Sequence, residues 1–227
     1  MPLGAPKVPY QFPSDDDNGK KINGYVNRNV SGNGKGNGNG NGNNNDDGSW
    51  VDLYNGLYQQ RVLILGQELN SEVANQLVGL MVYLSIQDQN KDIYLFINSP
   101  GGDVISGMAV FDAMHFVDAE IQTICLGVAA SMASLVLVGG EPTKRTALPH
   151  SKVMIHQPVS SFTDGKLGDD VLDVIEITKM YNNLIDVYAE RTGQPASRIS
   201  KDMARRDLFM TAEEAKAYGI VDTVGDE

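Results

Sequence analysis

Ile121-Gln-Thr-Ile-Cys-Leu-Gly-Val-Ala-Ala-Ser-Met-Ala-Ser-Leu-Val-Leu-Val-Gly-Gly140 reads as two elements joined at a serine. Alternation of apolar and polar residues up to Leu126 predicts a strand, and Ser131 to Val138 predicts a short helix. The run carries no charge and reaches the length of about 20 residues that a membrane span requires. Gln122, Thr123, Ser131, Ser134 and several glycines fit a strand and a helix better than a span. Ser131 then lies at a strand-to-helix turn among small residues.

Outward from this stretch the pattern repeats. Upstream, Arg61-Val-Leu-Ile-Leu-Gly66 is a short buried strand, and Asn70-Ser-Glu opens a helix through Leu84 with Val73, Leu77, Leu80, Met81 and Leu84 on its apolar face. Ile93 to Ile97 is a strand ended by Asn98-Ser-Pro-Gly-Gly102, and a helix follows from Val104 to His115. Downstream, Val153-Met-Ile155 is a strand, and Lys166 to Thr192 is the longest helical pattern. Leu167, Val171, Val174, Thr178, Tyr181, Ile185 and Tyr188 line one face of that helix, widened by Leu172, Ile175, Leu184 and Val187. So broad an apolar face calls for cover either from another subunit or from the chain's own core. Thr211-Ala-Glu-Glu214 is a capping-box start for a last helix ending at Gly219, and Ile220 to Val224 closes as a strand. Strands alternating with helices predict an α/β domain with a mostly parallel sheet.

Composition bounds the function. Asp and Glu total 29 against 18 Lys and Arg, a formal charge of -11, which disfavours a nucleic-acid partner. The one cysteine, Cys125, permits no internal disulfide and no cysteine metal site. Residues 1–14 contain four prolines and lack the apolar core of a secretory signal. Residues 15–49 are Gly- and Asn-rich, with little to bury, and are expected to be a disordered insertion. Order is expected from residue 50 to 227, beginning with an amphipathic helix over Trp50 to Tyr58 that presents Trp50, Leu53, Tyr54 and Leu57.

A serine hydroxyl is a poor nucleophile until a base takes its proton, and the base in turn needs an acid to orient it. The sequence has three histidines. His115 falls towards the end of a helix and His150 in a loop, whereas His156 ends a buried strand, where sites form in α/β folds. Gly101 and Gly102 expose backbone after a strand, and the Met132 N–H starts the helix that Ser131 opens; both could serve a developing oxyanion. Taken alone, Ser99-Pro-Gly-Gly102 reads first as an ordinary tight turn, and Asp207, beside Arg205 and Arg206, as part of a surface ion pair. No Gly-x-Ser-x-Gly elbow occurs, which argues against the hydrolase class built on that motif.

Four ordered motifs resemble the ClpP family, the proteolytic subunit of the ATP-dependent Clp protease. They are Asn98-Ser-Pro-Gly-Gly-Asp-Val-Ile-Ser-Gly107, Ala129-Ala-Ser-Met132, Met154-Ile-His-Gln-Pro158 and Arg206-Asp-Leu-Phe-Met-Thr-Ala-Glu-Glu-Ala215. The match runs from about Trp50 to the end, and Met1 to Pro9 together with Trp50-Val-Asp-Leu-Tyr54 resemble the plastid-encoded members. The resemblance implies a ClpP/crotonase-like fold of repeated strand-strand-helix units, with the long helix protruding to make the contact between rings. It implies Ser131 as nucleophile, His156 as base, Asp207 as the third member, and Gly102 and Met132 as the oxyanion hole, with residues 159–165 along the substrate. It further implies two stacked seven-membered rings, homo- or hetero-oligomeric, in the plastid stroma. An AAA+ Clp ATPase unfoldase would dock at Tyr94, Phe96 and Phe116 and feed in unfolded polypeptides. No cofactor is expected for this chain: ATP belongs to that partner, since no Walker A sequence is present. Ala133 departs from the glycine common in the family, and the insertion falls where the family builds its axial loops. A serine endopeptidase is the leading reading; a non-catalytic subunit of a mixed ring and a crotonase-type acyl-CoA enzyme are the others. A lysine base at Lys144 or Lys152 is a remoter variant.

Overall fold

The computed structural model describes residues 7–10, 49–158, 167–205 and 207–226, and the chain divides into two units, residues 1–56 and 57–227. In the first unit β1 (Lys7–Tyr10) pairs antiparallel with β2 (Ser49–Asp52), Lys7 opposite Asp52 and Tyr10 opposite Ser49. The expected insertion lies outside the described residues except for Ser49, which belongs to β2. Trp50 is also in β2, and the helix expected to contain it, α1 (Leu53–Gln59), begins three residues later. The Asp52 carboxylate explains the later start, because it accepts the N–H groups of Tyr54 at 2.9 Å and Asn55 at 3.4 Å as an N-cap does.

The second unit runs β3 (Val62–Leu65), α2 (Ser71–Gln87), β4 (Ile93–Ser99), α3 (Val104–Phe116), β5 (Ile121–Ala130), α4 (Met132–Val138), β6 (Arg145–Ala147), β7 (Lys152–Ile155), α5 (Leu167–Thr192), α6 (Ala196–Arg205), β8 (Leu208–Thr211), α7 (Ala212–Tyr218) and β9 (Thr223–Val224). The order β3-β4-β5-β6-β9 is parallel throughout, while β7 joins β5 parallel and carries β8 antiparallel. This is the mixed α/β architecture that the alternating pattern predicts, with Leu63, Leu95, Ile97 and Cys125 fully buried in the sheet. The α2 residues Val73, Leu77, Met81 and Leu84 are buried against the core, and Asn70 caps that helix by accepting the Val73 N–H at 3.0 Å.

The departure that matters most is in β5, which continues past Leu126 to Ala130. Its first half, Thr123–Cys125, pairs with β6, and its second half, Val128–Ala130, pairs with β7. Gly127, at φ 65°, is the bend between the halves. A Cβ there would lie 2.7 Å from Asn98 Oδ1, and that oxygen accepts the Val128 N–H at 3.2 Å. Glycine therefore bends the strand instead of ending it, and carries the chain across to β7.

The sequence pattern also missed β6, α6 and β8. β6 has three residues, and α6 is polar overall, its apolar stripe reduced to Ile199 and Met203 one turn apart. β9 is shorter than the strand expected over Ile220 to Val224, because Gly219 caps α7 at φ 95° and the chain turns before Thr223. On α5, Leu184, Ile185 and Tyr188 are buried in the chain's own core, while Thr178 is exposed; the side chains of 167–177 lie outside the description.

Candidate active site

Two strand pairings bring the candidate residues together. Ala130 pairs with Met154 at the end of β5, and Ile155 pairs with Leu208 across β7 and β8. Ser131 and His156 therefore leave the ends of neighbouring parallel strands, and Asp207 lies opposite His156 where the antiparallel register runs on. The Ser131 hydroxyl is 2.9 Å from His156 Nε2, and Asp207 Oδ1 is 3.1 Å from Nδ1. With its proton on Nδ1, His156 donates to Asp207 and accepts from Ser131, the tautomer that lets it act as base. Asp207 is paired with the imidazole, and its side chain remains 58 % exposed against 23 % for His156.

Ser131 stands at φ 54° and ψ -127°, outside the regions an L residue prefers, directly ahead of α4. Its side chain caps nothing and is left to face His156. The result is a strained strand-to-helix turn that presents Ser131 without the Gly-x-Ser-x-Gly sequence. Ala133 is fully buried within α4, a helical position that does not require glycine.

Gly101 faces this turn at φ 93°, and Gly102 follows it at φ 152°. A Cβ on Gly101 would lie 2.7 Å from Ser131 Cβ and 3.0 Å from the Met132 nitrogen; one on Gly102 would strike the Leu69 carbonyl at 2.0 Å. The pair is pinned by Leu69, whose N–H donates to the Gly101 carbonyl at 2.8 Å and whose carbonyl accepts the Asp103 N–H at 2.9 Å. Asp103 then caps α3 by accepting the Ser106 N–H at 2.8 Å, and hydrogen bonds from Ser106 hold its carboxyl below the ordinary value. Among the described residues, no backbone hydrogen bond outside the regular helices and strands uses the N–H of Gly102 or Met132. The Met132 N–H adjoins the pocket beside Ser131. Val104, Ser131, Met132, His156, Pro158, Leu184, Tyr188 and Met203 line a narrow pocket of about 20 Å³ here.

The other titratable candidates sit elsewhere. His115 bonds the Phe111 carbonyl at 2.8 Å and stacks on the Phe111 ring, and His150 is an exposed loop residue. Lys144 is held between Asp92 at 2.6 Å and Glu120 at 2.5 Å, and those carboxylates raise its pKa, which keeps it protonated and unsuited to act as a base. Burial pushes the Cys125 thiol up to about 11. Tyr94 is 39 % and Phe116 83 % exposed, with Phe96 half-buried on the same strand face as Tyr94. Residues 159–165, expected along the substrate, lie outside the described residues. Sequence reasoning gave no role to Ser134, whose buried hydroxyl bonds both Ser131 and Tyr188. It read Tyr188 only as part of an apolar face, although a buried tyrosine hydroxyl needs a partner and so signals a polar contact.

A family model described as Clp protease matches residues 44–227. The ATP-dependent Clp protease proteolytic subunit of Nicotiana tabacum is 51% identical over 227 residues, covering 100% of both chains. That of Lotus japonicus is 50% identical over 227 residues, again covering all of both chains, and that of Cucumis sativus is 50% identical over 224 residues and 99% of each.

Proposed function

Because the chain belongs to the Clp protease family, we propose that it is a serine endopeptidase subunit in which Ser131 attacks the peptide carbonyl, His156 is the base and Asp207 orients it. His156 takes the hydroxyl proton as the Ser131 oxygen bonds to the carbonyl carbon, and returns it to the leaving amine as the peptide bond breaks. Water then hydrolyses the acyl-enzyme by the same route. The N–H groups of Gly102 and Met132 stabilise the oxyanion of each tetrahedral intermediate. The carrying observation is the chain of contacts from Ser131 to His156 at 2.9 Å and from His156 to Asp207 at 3.1 Å.

Family membership brings association with a Clp ATPase and oligomeric assembly. Our reading extends this to two stacked heptameric rings that admit unfolded polypeptides, with ATP used only by the AAA+ partner. Tyr94, Phe96 and Phe116 form the docking surface in this reading, supported by the exposure of Tyr94 and Phe116. The plant relatives support a plastid location. Among the described residues no helix is long and apolar enough to cross a membrane.

The test is Ser131→Ala in the assembled protein. Fluorophosphonate labelling and peptide cleavage should vanish while the native mass is unchanged. Labelling that survives removes Ser131 as the nucleophile, and purified homo-oligomers that neither label nor cleave would make the chain a structural subunit.

A further inference from the structure

The carbonyl of Ser131 and the N–H of Met132 belong to one peptide unit. That unit is planar and its two polar groups point in opposite directions, so whatever fixes the carbonyl also aims the N–H. The carbonyl is held on the α4 side by three donors: the Ser134 backbone N–H at 2.9 Å, the Ser134 hydroxyl at 2.7 Å and, more weakly, the Leu135 N–H at 3.4 Å. The Ser134 oxygen is also 2.7 Å from the Tyr188 hydroxyl. Ser134 has one hydroxyl proton and spends it on the Ser131 carbonyl, so Tyr188 is the donor in the second bond. Ser134 is fully buried and Tyr188 2 % exposed, so water offers neither a substitute partner. Burial holds the Tyr188 phenol well above its ordinary pKa, which keeps that donor protonated.

The other side of the turn is fixed separately, by the Ser131 N–H donating to the Met154 carbonyl of β7 at 2.9 Å. The far end of α4 is tied to the same helix as Tyr188: the Arg191 guanidinium donates to the Val138 carbonyl at 3.1 Å and to the Gly140 carbonyl. The last turns of α5 thus hold α4 at both ends, behind a residue whose backbone would relax from φ 54° if released.

We propose that Ser134 and Tyr188 are positioning residues for the hydrolysis: the relay from the Tyr188 hydroxyl through the Ser134 hydroxyl to the Ser131 carbonyl fixes the Ser131–Met132 peptide and so aims the Met132 N–H at the oxyanion. This rests on Ser131 being the nucleophile. The relay acts where charge develops, so its loss falls on kcat and not on KM. Removing an oxyanion donor outright lowers kcat by about 10²–10³, and an N–H that is present but poorly aimed forfeits part of that, on the order of 5- to 30-fold.

The experiment compares Tyr188→Phe, Ser134→Ala and the double variant as assembled protein, using two peptide substrates that differ in the residue before the cleaved bond. Tyr188→Phe keeps the ring that lines the pocket and removes only the oxygen. The expected result is a 5- to 30-fold fall in kcat at unchanged KM, by the same factor on both substrates. A peptide aldehyde, which forms a tetrahedral adduct on the serine, should weaken by the same factor. The double variant should be little worse than the poorer single one, since all three break one relay. A Tyr188→Phe protein with wild-type kcat overturns the proposal, and so does a loss confined to KM that changes with substrate, which would make Tyr188 a pocket residue only. Should Tyr188→Phe assemble poorly, Ser134→Ala reads the relay from its other end. Fluorophosphonate labelling of Ser131→Ala run alongside separates a failure of this relay from a failure of the nucleophile assignment.

Discussion

Replacing Gly101 with alanine should disable the candidate site from outside the triad. At φ 93° the backbone is in a region costly to any residue with a Cβ, roughly 1–2 kcal/mol. The added carbon would also lie 2.5 Å from the Ala130 carbonyl oxygen, 2.7 Å from Ser131 Cβ and 3.0 Å from the Met132 nitrogen. Two of these are backbone atoms that cannot rotate aside, so overpacking adds about 1–3 kcal/mol. The sum, about 2–5 kcal/mol, corresponds to a fall in melting temperature of roughly 4–20 °C for a domain of this size. Relief requires the chain from Ala130 to Met132 to move, and misplacing a reacting group by about 1 Å costs on the order of 100-fold in rate. Gly101→Ala should therefore cleave peptides at least about 100-fold more slowly even well below its melting temperature. The matched control is Gly79→Ala on the exposed side of α2, where a Cβ meets nothing within 4 Å. That change should leave activity intact and stabilise by about 0.4–1 kcal/mol. The measurements are thermal unfolding and kcat on a fluorogenic peptide. A Gly101→Ala protein with wild-type kcat and melting temperature would refute the packing argument.

Asp207→Asn should lower kcat by about 10- to 150-fold, the equivalent of one hydrogen bond to a charged group. That is short of the roughly 10⁴-fold of a buried triad acid, because the Asp207 side chain is 58 % exposed and water can partly stand in; kinetics showing no loss, or one as deep as Ser131→Ala, would contradict this. Asp222→Asn should destabilise by about 3 kcal/mol, since it leaves the Arg145 guanidinium, 8 % exposed and 2.6 Å from the carboxylate, without its charged partner and with only neutral acceptors such as the Arg191 and Gly219 carbonyls. Burial alone would raise the Asp222 carboxyl, but its hydrogen bonds and charge pairing with Arg145 hold it below the ordinary carboxylate value. Its contribution is therefore present above about pH 4 and lost as the pH falls through the depressed pKa, so the gap in stability between wild type and Asp222→Asn should close on acidification; a gap that widens would reverse the assignment.

Much of the fold lay open in local pattern. Val73, Leu77, Met81 and Leu84 fall at helical spacing and are buried on one face of α2, and Thr211 and Glu214 form the capping box that their spacing predicts. Elements fixed by local contacts of that kind survive transfer from sequence to structure. Trp50 did not, because spacing at helical intervals says nothing of the Lys7–Tyr10 strand that pairs with it, nor of the Asp52 cap that delays the helix. The extension of β5 was equally hidden: a glycine after an apolar run signals an end, and only the side chain of Asn98 on the adjacent strand turns Gly127 into a bend.

The sequence by itself determined the chemistry on offer: Ser131 and His156 at the ends of apolar strands, glycines at 101 and 102 ahead of Ser131, and four motifs in the order of the Clp protease family. Tertiary structure alone decided how those groups meet. The split pairing of β5 sets Ser131 beside His156, and the antiparallel β7–β8 register sets Asp207 opposite His156. Buried hydrogen bonds link the Tyr188 hydroxyl through the Ser134 hydroxyl to the Ser131 carbonyl. The reason is physical: residue type and spacing fix which groups a chain carries and which local turns it can form, whereas orienting a hydroxyl, an imidazole or an N–H to within an ångström depends on contacts between residues distant in sequence, and those exist only once the sheet has formed.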